Sequence, residues 1–242
     1  MELFCREKYR VRVTDFDSHM HFRPAAILES FQEIAGTHAQ NMGIGYYDMI
    51  DKNIIWVLVR VKYQLFAEPR LYQSVFLETW PLKPGRLGFQ REYVIKDENE
   101  NILAKGTSDW VCVHSEKRRI VSATDVCPIG SKYREEKNFA EKLSKIRPFD
   151  EGAKYDITTR YSDLDMNGHV NNTKYADYVL DALMLPKEKC VVSFQIEFHK
   201  ELGADAPFAL NIVKQDNSVL ACGKSGDTNI FTCQMILEDR KN

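Results

Sequence analysis

The chain has few of the features that mark a membrane, secreted or nucleic-acid-binding protein. Its longest unbroken apolar run is Ile54–Val59, far short of the roughly 20 residues a helix needs to cross a bilayer. The amino terminus has no apolar signal core, because Arg6, Lys8, Arg10 and Arg12 interrupt it, and no Ser-rich presequence. A cytoplasmic protein is the expectation. An excess of one charge is missing too: 33 Lys and Arg stand against 35 Asp and Glu, a formal net charge of −2. Nucleic acid and anionic lipid are therefore not held by bulk charge, and no nucleic-acid partner and no membrane span are expected. None of the six cysteines (Cys5, Cys112, Cys127, Cys190, Cys222, Cys233) stands in a Cys-x-x-Cys pair. That removes zinc-ribbon and thioredoxin-type readings and leaves small buried hydrophobes. His19 and His21 share one face of an extended segment, yet no Cys or carboxylate set completes a metal site. No metal and no cofactor are expected, and there is no glycine-rich phosphate loop.

What is present suffices for a core. Of 242 residues, 44% are apolar and 28% charged, which excludes disorder as the main state and fits one large domain or two small ones. An internal repeat favours two. Placing Asp15 on Asp163, an offset of 148 (163 − 15), also places Asp17 on Asp165 and His21 on His169. Ile27, Phe31, Ile34 and Ala35 then fall on Tyr175, Val179, Ala182 and Leu183. Both sets follow the i, i+4, i+7, i+8 spacing of an amphipathic helix. Pro24 suits the first turn of helix one and Gly43 its end; Asn171 or Asn172 is the expected N-cap of helix two, with Pro186 beyond it. Past the helices the offset becomes 135, so that Val57, Val59, Val61 and Tyr63 fall on Val192, Phe194, Ile196 and Phe198. Both sets alternate with the period of a strand.

Further strands are expected at Gly88–Lys96, Ile102–Ser115, Tyr155–Thr159, Phe208–Lys214, Val219–Lys224 and Ile230–Glu238, separated by turn-rich segments. Each half thus reads as strand, long helix and antiparallel meander. One helix beside several strands buries its apolar stripe best against the sheet's concave face. The expected fold is α+β, a double hotdog: two tandem repeats, each an antiparallel sheet wrapped around one long helix. The N-terminal repeat is assigned residues 1–130 and the C-terminal repeat 153–242. The charged segment 131–152 between them is read as an exposed, partly helical linker.

The densest polar cluster is Tyr161–Asn172, YSDLDMNGHVNN, between a short strand and helix two. A loop ending at a helix N-terminus presents free backbone N–H groups, suited to a developing oxyanion. Asp163, Asn171 and Asn172 are read as cap and turn residues. Asp165, Asn167 and His169 are read as functional. The first copy keeps Asp17 and His21 but has His19 opposite Asn167, so the second copy holds the complete set. Glu201, at the end of an apolar strand within EFHKEL, is a further polar candidate, with Phe66 opposite it by the 135 offset.

YSDLDMNGHVNNTKY together with EFHKEL resembles the catalytic signature of the acyl-acyl-carrier-protein (acyl-ACP) thioesterases, the plant-type fatty acyl thioesterases and their bacterial relatives. IIWVLVRVKYQLFAEP (Ile54–Pro69), ETWP, GRLGFQREYVIKD and GTSDWVCVHSEKRRIV resemble that family's N-terminal half. The resemblance implies hydrolysis of fatty acyl-ACP to free fatty acid, with Asp165, Asn167, His169 and Glu201 as catalytic residues. Many plant members carry a cysteine after that glutamate. Leu202 stands here, so a thiolate nucleophile at that position is excluded.

Asn167 suits the role of carbonyl donor, and Asp165, His169 and Glu201 are expected to form one network that deprotonates water, with direct carboxylate attack as the alternative. Ile27, Phe31, Ile34 and Trp56 are candidates to line an acyl pocket in the first half, although core packing would explain them equally. The carrier implied by the resemblance is strongly acidic, which makes Lys117, Arg118 and Arg119 a candidate docking patch, as are Lys142, Lys145 and Arg147. A homodimer is left open. The rival readings are a hotdog acyl-CoA thioesterase and a non-catalytic acyl-thioester-binding protein.

Overall fold

The computed structural model describes residues 3–127 and 133–240. The chain forms two compact units. One holds the chain up to Thr14 together with Ile27–Lys142; the other holds Asp15–Ala26 and the chain from Leu143 onward.

In the first unit β1 (Cys5–Arg10) is followed by α1 (Pro24–Asn41), whose first turn lies in the Asp15–Ala26 segment, and by the short α2 (Tyr46–Ile50). Strands β2 (Ile54–Leu65), β3 (Ser74–Pro81), β4 (Gly88–Lys96), β5 (Ile102–His114) and β6 (Arg119–Val121) follow. They form an antiparallel sheet in the order β1-β3-β4-β5-β2, with β6 on β5. The second unit has β7 (Ala153–Thr158), α3 (Lys174–Leu183), β8 (Lys189–Phe198), β9 (Pro207–Gln215), β10 (Ser218–Ser225) and β11 (Thr228–Asp239). Its antiparallel order is β8-β11-β10-β9-β7. Among the described residues no helix is long and apolar enough to cross a membrane.

Local chemistry sets the helix ends. Pro24 opens α1, where its missing N–H costs nothing. The chain leaves α1 through Gly43 at φ +72, a left-handed conformation that favours glycine. At α3 the N-cap is Thr173 rather than Asn171 or Asn172. Asn171 sits two residues earlier, its Oδ1 accepting from Thr173 N at 2.9 Å and Thr173 Oγ1 at 3.0 Å. At ten residues α3 is little more than half the length of α1, which has 18. It stops at Met184 in the left-handed region (φ 43, ψ 62), just before Pro186.

Each unit packs its helix on its sheet through aromatic rings. Phe31 of α1 stacks on Tyr93 of β4, centroids 4.4 Å apart and planes 10° from parallel. Gly106 of β5 makes room for that ring, because a Cβ there would overlap it. In the second unit Tyr175 of α3 packs on Phe231 of β11 at 4.9 Å, and Tyr178 on Phe208 of β9 at 5.5 Å. Gly223 gives Phe231 the same clearance.

The segment read as an exposed, partly helical linker contains no helix over its described residues, 133–152. Its backbone instead finds partners on the sheets. In the first unit Trp80 Nε1 donates to Glu136 O at 2.9 Å. Asn138 N donates to Glu92 Oε2 at 2.9 Å, and its Nδ2 donates to both Tyr93 O and Gly106 O at 2.8 Å. In the second, Gln195 Nε2 donates to Ser144 O at 2.6 Å and Thr232 Oγ1 to Ile146 O at 3.1 Å. Such bonds satisfy a strap of irregular backbone where a helix would have satisfied itself.

The repeat is written in hydrogen bonds as well as residues. Asp17 N donates to His21 O at 3.0 Å, and Asp165 N to His169 O at 2.8 Å. Met20 N donates to Asp17 O at 3.1 Å, and Gly168 N to Asp165 O at 3.0 Å. Arg23 N donates to Asp15 O and Asn171 N to Asp163 O, both at 2.9 Å. Each loop is closed by an antiparallel bridge, Phe16 with Phe22 and Leu164 with Val170. The offset of 148 therefore holds for every one of these bonds.

Candidate active site

The functional loop follows a single 3-10 turn, Tyr161–Asp163. Asp163 anchors it: its Oδ2 accepts from Arg160 N and from the Tyr178 hydroxyl of α3, both at 2.7 Å. The chain then reverses between Leu164 and Val170. Gly168 takes φ +76 at the tip; Met20, its counterpart, takes φ 63, so the first loop accepts that strain without a glycine.

Four residues expected to be catalytic come together here as two pairs. Asp165 Oδ1 accepts from Asn167 N at 2.8 Å, and its Oδ2 faces Asn167 Nδ2 at 3.4 Å. His169 Nδ1 lies 3.5 Å from Glu201 Oε2, both side chains a little under half exposed. The imidazole pairs with Glu201, and Asp165 holds the asparagine.

Glu201 reaches His169 because the loop between β8 and β9 is tied to the functional loop by a backbone bond, Val170 N to Leu202 O at 2.8 Å. The bond joins the residue after His169 to the residue after Glu201. Leu202 itself is buried. Nor do the buried cysteines offer a nucleophile: burial pushes the Cys112 and Cys233 thiols far above their ordinary range.

The counterpart of Glu201 differs from the expected Phe66. His199 N and Lys200 N both donate to Ile230 O, while Phe66 N and Ala67 N both donate to Leu103 O. Those bonds set an offset of 133 (199 − 66), which places Glu68 opposite Glu201. The offsets 133 and 135 are both odd, so strand alternation alone does not separate them. The first copy thus keeps counterparts of Asp165, His169 and Glu201 and lacks that of Asn167.

The pocket and docking candidates lie in the first unit. Ile27, Phe31 and Ile34 are fully buried on α1. Trp56 is half-buried on β2, donating from Nε1 to Ile44 O at 2.9 Å and meeting Phe89 edge-on at 4.8 Å. Lys117 and Arg118 are exposed in the turn between β5 and β6, and Arg119 is exposed as the first residue of β6, beside the exposed Ile120.

Sequence reasoning missed a polar group inside the first unit. Arg91 of β4 is buried, its Nη1 2.9 Å from His38 Nδ1 and 3.3 Å from Thr79 Oγ1. Burial and the Arg91 charge push His38 down to about 4. The available signal was Arg91 standing in phase with Phe89 and Tyr93, on what alternation makes the apolar face of a strand.

A helix laid on an antiparallel sheet, twice in one chain, is a double hotdog. Solved structures share it. An acyl-ACP thioesterase from Bacteroides thetaiotaomicron matches with a TM-score of 0.85 at 22% identity, over 97% of this chain and 98% of that one. The 12:0-ACP thioesterase from Umbellularia californica matches with a TM-score of 0.83 at 20% identity, over 99% of each.

Sequence places it more narrowly. The acyl-ACP thioesterase N-terminal domain matches residues 2–128, and the C-terminal domain of the same family matches residues 146–238. The chain belongs to the acyl-ACP thioesterase family. The chloroplastic oleoyl-acyl carrier protein thioesterase of Coriandrum sativum is 30% identical over 204 residues, 77% of this chain. The match spans 55% of that relative's length.

Proposed function

We propose that the protein hydrolyses the thioester of fatty acyl-ACP, releasing free fatty acid and holo-ACP. The observation that carries this reading is the His169–Glu201 pair, 3.5 Å apart, two residues along the loop from the Asn167 amide. His169, oriented through Nδ1 by Glu201, takes a proton from water at its other ring nitrogen. The resulting hydroxide adds to the thioester carbonyl, and Asn167 Nδ2 donates to the oxygen as charge develops. The tetrahedral intermediate collapses, the C–S bond breaks, and the imidazolium returns its proton to the departing thiolate. Asp165 keeps Asn167 in place throughout.

The acyl chain is assigned to the first unit, along the α1 face that carries Ile27, Phe31 and Ile34, with Trp56 as a further wall. Lys117, Arg118 and Arg119 are assigned to the carrier. Their exposure beside Ile120 supports a patch that is both basic and apolar, as docking of an acidic protein requires. The unit containing Asp165, Asn167, His169 and Glu201 is the catalytic one.

The test is a panel of acyl-ACP substrates from C8 to C18, run beside matched acyl-CoAs. Hydrolysis of acyl-ACP by the wild type and a roughly 10- to 100-fold lower rate in Glu201→Gln are expected. Faster turnover of the CoA series would replace the carrier by CoA, and no hydrolysis of any substrate would defeat the reading.

A further inference from the structure

Thr159 lies just past β7, immediately before the turn that opens the functional loop, and its side chain is fully buried. Its hydroxyl donates to Gly203 O at 2.6 Å and accepts from Ala206 N at 2.9 Å. Its backbone adds two bonds to the same segment: Thr159 N donates to Ala206 O at 3.2 Å, and Asp205 N donates to Thr159 O at 3.0 Å. All four bonds fall on the β8–β9 loop, which also carries Glu201. The other arm of the site, Asp163 to Asn171, continues directly from Thr159. One residue therefore joins the support of Glu201 to the support of His169.

The first copy supplies the comparison. By the offset of 148, Val11 occupies the position of Thr159, and it is equally buried. Val11 N donates to Gln73 O at 2.9 Å and Tyr72 N to Val11 O at 3.1 Å, the same two backbone bonds at the offset of 133. Tyr72 and Asp205 match even in their left-handed backbone, φ 64 and 54. The turn thus forms with valine. What threonine adds is a buried hydroxyl holding two backbone groups of the loop, and it adds them in the copy that has the complete polar set.

We propose that Thr159 is a positioning residue of the thioesterase reaction, its hydroxyl clamping the β8–β9 loop so that Glu201 stays within reach of His169. This rests on the role given to Glu201 above. A buried hydroxyl with both its donor and acceptor used fixes its neighbours better than backbone bonds alone, and a displacement of about 1 Å in such a site lowers turnover on the order of 100-fold.

Thr159→Val, Thr159→Ser, Glu201→Gln and the Thr159→Val/Glu201→Gln double variant test it, using a short acyl-pantetheine substrate and amide hydrogen exchange. Thr159→Val is expected to fold, as Val11 does, to exchange faster at residues 199–206, and to lose on the order of 10- to 100-fold in kcat with KM little changed. Thr159→Ser, which keeps the hydroxyl, is expected to restore most of that loss. In the Glu201→Gln background Thr159→Val is expected to cost nothing further, because the group it positions is gone. A general structural defect would instead lower activity by the same factor in both backgrounds, and that result would overturn the inference. So would wild-type kcat in Thr159→Val while Glu201→Gln is impaired. An unchanged Glu201→Gln strikes at the reading of the site itself and removes the clamp's catalytic purpose with it, even if exchange at 199–206 rises.

Discussion

Under the proposed mechanism Asn167 and Glu201 have different jobs, and single substitutions separate them. Asn167→Ala removes a donor to the developing oxyanion and is expected to cost about 10²–10³ in kcat. Glu201→Gln keeps the shape and removes the charge beside His169 Nδ1, and a smaller loss, roughly 10- to 100-fold, is expected. Steady-state kinetics on one acyl-ACP checks both; equal losses would put Glu201 in direct contact with the reacting atoms. A second prediction concerns His38, held neutral in the folded state down to about pH 4. The unfolded chain protonates it near pH 6.5. Between those values the unfolded state binds the extra proton, so stability falls as pH falls, by roughly 3 kcal/mol across the window. His38→Gln preserves an acceptor for Arg91 and should flatten that part of the stability curve, measured by urea unfolding from pH 7 to pH 4. The local cluster was legible because its members sit within one loop of the sequence. Thr159 was not. It read as the last residue of a strand, and its meaning comes from Gly203 and Ala206, some 44 and 47 positions away.

The elements themselves were readable from periodicity: β4 and the strand face of β5 fall where alternation put them. The strap's charge density pointed to solvent, and most of its described residues are exposed; what charge did not signal is that no helix forms and that Asn138 binds the first sheet. Helix-to-sheet approach depends on a missing side chain. Gly106→Ala would drive a methyl group into the Phe31 ring, which is stacked on Tyr93. A loss of roughly 1–3 kcal/mol in the first unit is expected, read as a lower denaturant midpoint. Gly168→Ala, in open space at the loop tip, meets no such obstacle; its cost is confined to the backbone, as Met20 shows in the first copy.

Over the whole molecule the formal charge of −2 gives an acidic carrier protein no general attraction. Recognition of the proposed carrier must then be local, and charge reversal at Lys117, Arg118 and Arg119 is expected to raise KM several-fold for acyl-ACP at low salt. The same change should leave a short acyl-pantetheine unaffected. Equal effects on the two substrates would remove the patch from docking.

The membership of the segment Asp15–Ala26 in the second unit also has a consequence in time. Arg23 meets Asp177 across 154 positions, and Arg240 donates to the His19 carbonyl across 221. During synthesis the first loop therefore leaves the ribosome long before the residues that hold it exist. At about 5–20 residues per second that interval is on the order of 10–40 s. The sheet of the first unit can be complete while the Asp15–Ala26 loop still waits for Asp177 and Arg240.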